Sequence, residues 1–334
     1  MLGAARIAPN AIVKPAKLVD GAEVTAIAAR DRPRAERFAR QHAVPRIHGS
    51  YEELLADPDL DAVYVPLPNG RHAEWTLRAL AAGKHVLCEK PLTANEAEAH
   101  AVADAAHESG LVVMEAFHYR YHPMAERAAR IVHGTPDETE GLIGAVQHVE
   151  TWVCFPLPRF SDIRYRYDLA GGATMDAGCY ALHCARLLGP GEPVVTGAHP
   201  TLLSRAGEPG VDRAMSIDLR YPGGASGRAH ASLWSRTLFR VKARIVGTRG
   251  ALEVRNFVLP QMHRLELTVG GRTSRERVPG QTSYTHQLRA FVAAVGGADT
   301  NRTPPADSIR TMRLIDAAYR AAGLPLRGAN TSVS

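Results

Sequence analysis

The segment GGATMDAGCYALHCARLLG (171–189) places a carboxylate and a phenol, Asp176 and Tyr180, four residues apart. On a helix that spacing puts both on one face. Taking the proton from a hydroxyl needs an acceptor within hydrogen-bond reach and with a usable pKa. A free tyrosine titrates at about 10, so Tyr180 needs a cation beside it to serve. A nearby ammonium such as Lys90, in KHVLCEKP (84–91), would serve. Its ammonium would favour the phenolate and bind the hydroxyl, with Asp176 orienting both. His183, three residues beyond Tyr180, either lines the same pocket or is a satisfied structural histidine. Trp152, Phe155, Arg164 and Tyr165 precede the glycine pair, and either wall a substrate site or pack. Cys179, His183 and Cys184 are not read as a metal site. Adjacent helical residues point apart, and no second ligand pair has zinc-site spacing.

The elements that must carry these residues follow two patterns. Residues 1–118 alternate helix-like and strand-like segments. A helix-like stretch near 9–20 leads to the apolar run VTAIAA (24–29) and a helical pattern from Pro33 to His42. A short strand at 44–47 precedes Ser50 and Glu53, a capping box that opens a helix. DAVYVPLP (61–68), KHVLCEKP and LVVMEAF (111–117) read as buried strands, with glycine-closed helices at 72–83 and 95–110 between them. Strands and helices alternating in this way imply a parallel, doubly wound sheet.

After a helix around 124–132 the pattern changes. Period-two runs at 145–155, 214–221, 226–234, 239–247, 251–256 and 263–269 describe a mostly antiparallel sheet with one buried face. A closing helix over 307–323 puts Ile309, Met312, Ile315 and Tyr319 on one side. The expected class is α/β. A Rossmann domain over 1–119, its first strand truncated, precedes a C-terminal α/β domain over 120–330 with a large, mostly antiparallel open sheet. The closing helix is a candidate to pack back on the first domain.

MLGAARIAP, at the start, runs a glycine into small residues, as does the turn after the first strand of a nucleotide-binding fold. Backbone N–H groups in such a turn approach a pyrophosphate. Further on, the second strand ends in Ala29-Arg30, with Arg32 and Arg34 nearby and no acid at its tip. An acid there would hold a ribose 2′-hydroxyl, whereas a guanidinium suits a 2′-phosphate. Arg30 therefore points to NADP over NAD, unless it is a solvated arginine beside Asp31. The strand that such a turn follows is missing ahead of Gly3, as it would be if the start codon were assigned too late.

The stretch YVPLPNGRHAEWTLRALAAGKHVLCEKPLTANEAEA (64–99), with its Glu89-Lys90-Pro91 triplet, closely resembles the Gfo/Idh/MocA oxidoreductases. The glycine pair followed by Asp176 and Tyr180 matches that family's second landmark, and EAFHYRYHP (115–123) fits its domain junction. The tyrosine variant with an arginine-ended second strand is most similar to the NADP-dependent branch, which holds trans-dihydrodiol and xylose-type aldose dehydrogenases. The resemblance implies that Gly3, Ala4, Ala5, Arg6 and Ile7 lie along the pyrophosphate. It implies that Pro66, Leu67, Pro68, Asn69 and His72 border the adenosine and pyrophosphate side. Glu89 and Lys90 would reach the nicotinamide ribose, with the bond before Pro91 cis. It further implies hydride transfer between NADP and a hydroxyl of a sugar or a cyclic trans-diol, and a homodimer or higher homo-oligomer formed through the C-terminal sheet. A non-catalytic NADP-binding sensor or scaffold on the same fold is the alternative, as is an N-terminally truncated inactive form. Retention of Lys90, Asp176 and Tyr180 together argues for catalysis.

Composition sets the remaining bounds. With 334 residues, 45% hydrophobic and 22% charged, the chain has ordinary globular content. The net charge of +6 invites a nucleic-acid reading. Of 40 basic residues, however, five are lysines, and the arginines are scattered among acids, as in ARDRPRAERFAR (29–40). No nucleic-acid partner is expected. No apolar run of about 18 residues suggests a membrane span, and no signal-peptide pattern is visible. Four sparse cysteines, Cys88, Cys154, Cys179 and Cys184, fit reduced thiols in a cytoplasmic protein.

Overall fold

In the computed structural model, which describes residues 1–135, 140–204 and 210–328, a π-helical turn over Pro9–Val13 runs into α1 (Lys14–Ala16). Strands β1 (Ala26–Ala28) and β2 (Arg46–His48) pair in parallel. So do β3 (Ala62–Val65), β4 (His85–Cys88) and β5 (Val113–Glu115). The first residues of the chain run between the two sets. Leu2 forms a parallel bridge with Ala28, and its amide donates to the Tyr64 carbonyl at 3.0 Å. Read across, the order is β2, β1, Leu2, β3, β4, β5, that of a doubly wound sheet. Leu2 is fully buried and occupies the central position.

Several helices begin where polar side chains replace missing backbone partners. Asp31 accepts from the Arg34 amide at 3.0 Å to open α2 (Arg32–His42). Ser50 does the same for Glu53 at α3 (Tyr51–Ala56). The Glu53 carboxylate reaches the Gly49 amide at 2.7 Å, one residue earlier than in a standard capping box. Next come α4 (His72–Ala81) and α5 (Glu96–Ser109), the latter closed by Gly110 at φ +66°.

After α6 (Pro123–His133) the second pattern becomes an eight-stranded sheet ordered β13-β12-β11-β10-β6-β9-β8-β7. Its strands are β6 (Val146–Cys154), β7 (Val194–Leu203), β8 (Val211–Arg220), β9 (Ser226–Ser232), β10 (Arg240–Gly247), β11 (Gly250–Arg255), β12 (Arg264–Val269) and β13 (Arg272–Glu276). All neighbours are antiparallel except β6 and β9. The period-two pattern did not reveal β7 and β13, and both are edge strands. β13 is exposed at every residue and β7 carries Gly197 and Pro200, so neither shows an apolar alternation. Helix α7 (Cys179–Leu188) covers one face, where the Thr151 hydroxyl donates to the Ala181 carbonyl at 3.0 Å.

The chain divides into two compact units, Met1–Tyr121 with Thr282–Arg310, and His122–Gln281 with Thr311–Ser334. This differs from a second domain running unbroken over 120–330. Residues 282–310 return to the first unit because α8 (Ser283–Val295), which the pattern also did not reveal, puts Leu288 and Phe291 into a core with Met1, Ile12, Ile27 and Leu87. Helix α9 (Pro305–Ala321) is counted with the first unit through Arg310 and with the second from Thr311. The expected end at 330 lies outside the described residues. Among those residues no helix is long and apolar enough to cross a membrane.

Because Leu2 is fully buried at the centre of the sheet, Leu2→Ala should cost about 2–5 kcal/mol in urea unfolding. At the exposed Leu18, the same change should stay within about 0.5 kcal/mol.

Candidate active site

In the first unit the residues of interest stand where parallel strands end, the place where open α/β sheets take ligands. Gly3 has φ +91°, and a Cβ there would lie 3.3 Å from Leu67 Cδ2 and 3.5 Å from the Tyr51 hydroxyl. Glycine keeps this backbone open to close approach. Ala4 is buried and its carbonyl accepts from the Arg34 guanidinium at 2.7 Å. Ala5 is half-buried, and Arg6 and Ile7 are exposed. Arg30 is exposed just past β1, and its backbone hydrogen-bonds the Tyr51 hydroxyl. Burial raises the Tyr51 pKa, while the charges of Arg30 and Arg34 oppose that rise. Asp31 turns its carboxylate to the start of α2. An open glycine loop bordered by guanidinium groups, with the adjacent acid turned to a cap, fits a dinucleotide carrying a 2′-phosphate.

Pro66, Leu67, Pro68 and Asn69 form a half-buried loop after β3, and Glu89 and Lys90 follow β4. The Tyr64 hydroxyl donates to Glu89 at 2.7 Å; burial and that carboxylate push the phenol pKa well up. The Lys90–Pro91 bond is cis, as the resemblance implied. Burial, with the Lys90 charge adding to it, pulls His118 down to about 3, so its ring is neutral beside Ser283 (2.8 Å) and Tyr284. The turn is fastened from beneath by Glu115, which is buried. Its carboxylate accepts from the Leu92 amide at 2.9 Å and from the Ser308 hydroxyl.

His72, expected to border the cofactor, is held by backbone on both sides. It is 1% exposed, with Nδ1 2.7 Å from the Pro91 carbonyl and Nε2 2.7 Å from the Leu67 carbonyl. Both ring nitrogens face backbone, so neither is offered to a ligand.

In the second unit the glycine-pair segment is not one regular helix. Asp176 stands in a π-helical turn, Thr174–Gly178, and Tyr180 in the first turn of α7. The i, i+4 spacing therefore spans a change of helical pitch, a feature frequent at functional sites. The Asp176 carboxylate is paired with Arg164 Nε at 3.0 Å, and Arg164 also contacts Asp162 at 3.2 Å. Arg164 is thus tied to the candidate catalytic acid. Tyr180 and His183 are both buried on α7.

What holds this turn is a fully buried hub that sequence reasoning missed. One oxygen of Asp212, on β8, accepts from the amide and hydroxyl of Thr174, both at 2.7 Å. The other accepts from the Tyr319 hydroxyl at 3.0 Å and from Arg327 at 3.1 Å. Arg327 also donates to the Gly171 carbonyl at 2.8 Å and lies over the Tyr167 and Tyr319 rings. At Gly172 (φ +140°) a Cβ would stand 2.2 Å from Asp212 Oδ1, so the hub admits only glycine there. Burial raises the Asp212 pKa, and Arg327 and Thr174 counter it. Asp212 and Arg327 carry no spacing signal toward the glycine pair. Glu115 was visible as a lone acid in LVVMEAF.

Trp152 departs from the expected substrate wall. Along β6, Thr151 faces α7, so Trp152 faces the opposite side of the sheet. There its ring stacks on His230 with centroids 5.4 Å apart, and Lys242 lies 4.8 Å from it. Side-chain alternation removes it from the face that carries Tyr180. Among the described residues no group of three or more His, Cys, Asp or Glu could hold a metal ion.

A glycine loop at the strand ends of a doubly wound sheet, followed by a sheet domain carrying an acid–tyrosine pair, defines a two-domain dinucleotide-fold oxidoreductase. Residues 1–117 match the oxidoreductase family with an NAD-binding Rossmann fold, and residues 139–253 match the GFO/IDH/MocA C-terminal domain. The chain belongs to the Gfo/Idh/MocA oxidoreductase family. It is 41% identical over 327 residues to D-xylose 1-dehydrogenase (NADP(+)) 2 of Haloferax volcanii, covering 96% of each chain. It is 36% identical over 235 residues to trans-1,2-dihydrobenzene-1,2-diol dehydrogenase of Sus scrofa, covering 70% of this chain and 66% of that one. Its fold matches a 3-ketoreductase from Actinomadura kijaniata, solved with NADP and TDP-benzene, at a TM-score of 0.85, 30% identity and 96% coverage of both chains.

Removing the cation from the hub would strand a buried carboxylate. Arg327→Met should lower stability by about 3–5 kcal/mol in chemical denaturation. A loss below about 1 kcal/mol would mean the hub does not hold the turn.

Proposed function

We propose that this chain is an NADP-dependent dehydrogenase or reductase acting on a hydroxyl of a sugar or a cyclic trans-diol. The observation that carries the reading is the arginine-bordered glycine loop beside the Leu67 loop, with the Lys90 turn on the adjoining strand end. The names of the relatives support it: one is an NADP-dependent xylose dehydrogenase and another a dihydrodiol dehydrogenase. When bound, the nicotinamide supplies the hydride acceptor or donor. Arg30, with Arg34 behind it, holds the 2′-phosphate, and Glu89 and Lys90 serve the nicotinamide ribose. Lys90 also binds the substrate hydroxyl, Tyr180 exchanges its proton, and Asp176, held by Arg164, orients the substrate.

A second copy of the chain is the proposed occupant of the sheet face opposite α7. That face carries Trp152 and alternating charges, including Glu150 with His230, Lys242 with Glu253, and Arg255 with Glu266, a pattern able to meet its own copy. Light scattering of Trp152→Asp should report a loss of the oligomer.

Tyr180→Phe should leave NADP binding intact and cut NADPH formation, across a panel of aldoses and trans-dihydrodiols, at least about a hundredfold. Tight NADP binding with no turnover of any panel member would favour the sensor reading. Arg30→Asp should weaken NADP relative to NAD by about 10- to 100-fold, since one charge-assisted contact is lost.

A further inference from the structure

His72 joins two loops that both belong to the proposed dinucleotide site. Leu67, whose side chain would meet any Cβ at Gly3, gives its carbonyl to Nε2, and Pro91, next to Lys90, gives its carbonyl to Nδ1. Both distances are 2.7 Å and both partners are acceptors. A neutral imidazole has one N–H and one lone pair, so it satisfies one of these carbonyls and presents a lone pair to the other. An imidazolium donates to both.

The surroundings pull the other way. Burial lowers the His72 pKa to about 4, the two carbonyls resist, and the Lys90 charge lowers it further. Ionisable groups on the elements around it have partners of their own. Glu89 accepts from Tyr64, Glu115 is bound by Leu92 and Ser308, and Glu98 of the neighbouring α5 turns back to Ala94 and Asn95. Burial keeps Cys88 beneath them protonated, and His118 is neutral. The free protein therefore has a ring whose geometry asks for a proton that its medium withholds.

We propose that His72 is a positioning residue that takes up a solvent proton when an anionic dinucleotide binds, and that its imidazolium then ties the Leu67 and Pro91 carbonyls together. The proposal rests on the reading of the glycine loop as an NADP site. Negative charge brought to that loop offsets the Lys90 field and tips the ring toward the doubly donating form the carbonyls require. His72 touches no reacting atom. It holds the Lys90 turn against the loop that packs on Gly3.

The sign follows from linkage. A bound-state pKa above the free value of about 4 means that binding takes up a proton between the two values. The affinity gained is fully present below the free value and is lost as pH rises through the bound-state value.

The test is calorimetric titration of the full chain and of His72→Gln with NADP, between pH 5 and 8, in buffers of different ionisation enthalpy. The wild type should take up roughly half a proton more per NADP than His72→Gln at the bound-state midpoint, the 2′-phosphate's own titration cancelling in the difference. Its affinity should fall up to about tenfold per pH unit more steeply than the variant's. Equal proton counts in the two proteins would overturn the proposal. Ring-nitrogen NMR of the wild type covers a variant that does not fold. NADP should convert His72 from one protonated nitrogen to two, and an unchanged neutral ring in the saturated complex would overturn it. If NADP binds neither protein at any pH, the site reading itself fails, an outcome distinct from binding without proton uptake.

Discussion

The second unit depends on one buried carboxylate. Asp212 has lost all its water, and an isolated charge in that setting would be costly. Its two oxygens are met by Thr174, Tyr319 and Arg327, and the guanidinium of Arg327 supplies the opposing charge. Four distant parts of the chain meet there: the glycine-pair segment, β8, α9 and the residues after it. Such a pair adds little net stability over apolar packing, but every partner must be in place for it to be tolerated. It gives the π-turn bearing Asp176 one position, because Thr174 at the head of that turn has its amide and hydroxyl both committed.

The first unit solves the same problem with separate small groups of hydrogen bonds rather than one hub. Loops at strand ends cannot pair their backbone groups in the sheet, and buried polar groups must find partners elsewhere. Glu115 takes the Leu92 amide, His72 spans two carbonyls, and Tyr64 holds Glu89. The residues around Lys90 are thus fixed by groups whose polar atoms are committed to protein partners. Chemistry-bearing side chains are few, and the side chains that keep them in place outnumber them.

Local patterns made much of the fold readable. Parallel strands buried on both faces read as continuous apolar runs, and the glycine or asparagine at a helix end has a local cause. Both edge strands of the large sheet escaped, since β13 is wholly exposed and β7 has glycine and proline within it. Helix α8 escaped as well, and with it the return of residues 282–310 to the first unit.

Residue types and motif spacing brought forward Gly3, Arg30, Lys90, Asp176 and Tyr180 as candidates, because a turn conformation or a charge requirement acts on a few adjacent residues. Sequence could not say that Trp152 faces away from α7, that His72 faces backbone on both nitrogens, or that Arg164 belongs to Asp176. Each depends on strand parity or on what another segment brings alongside. Arg327 shows the limit most clearly. It lies 115 residues from Asp212, and no local rule links them. Their pairing is decided where the folded chain removes water from both, since burial makes an unpaired charge untenable.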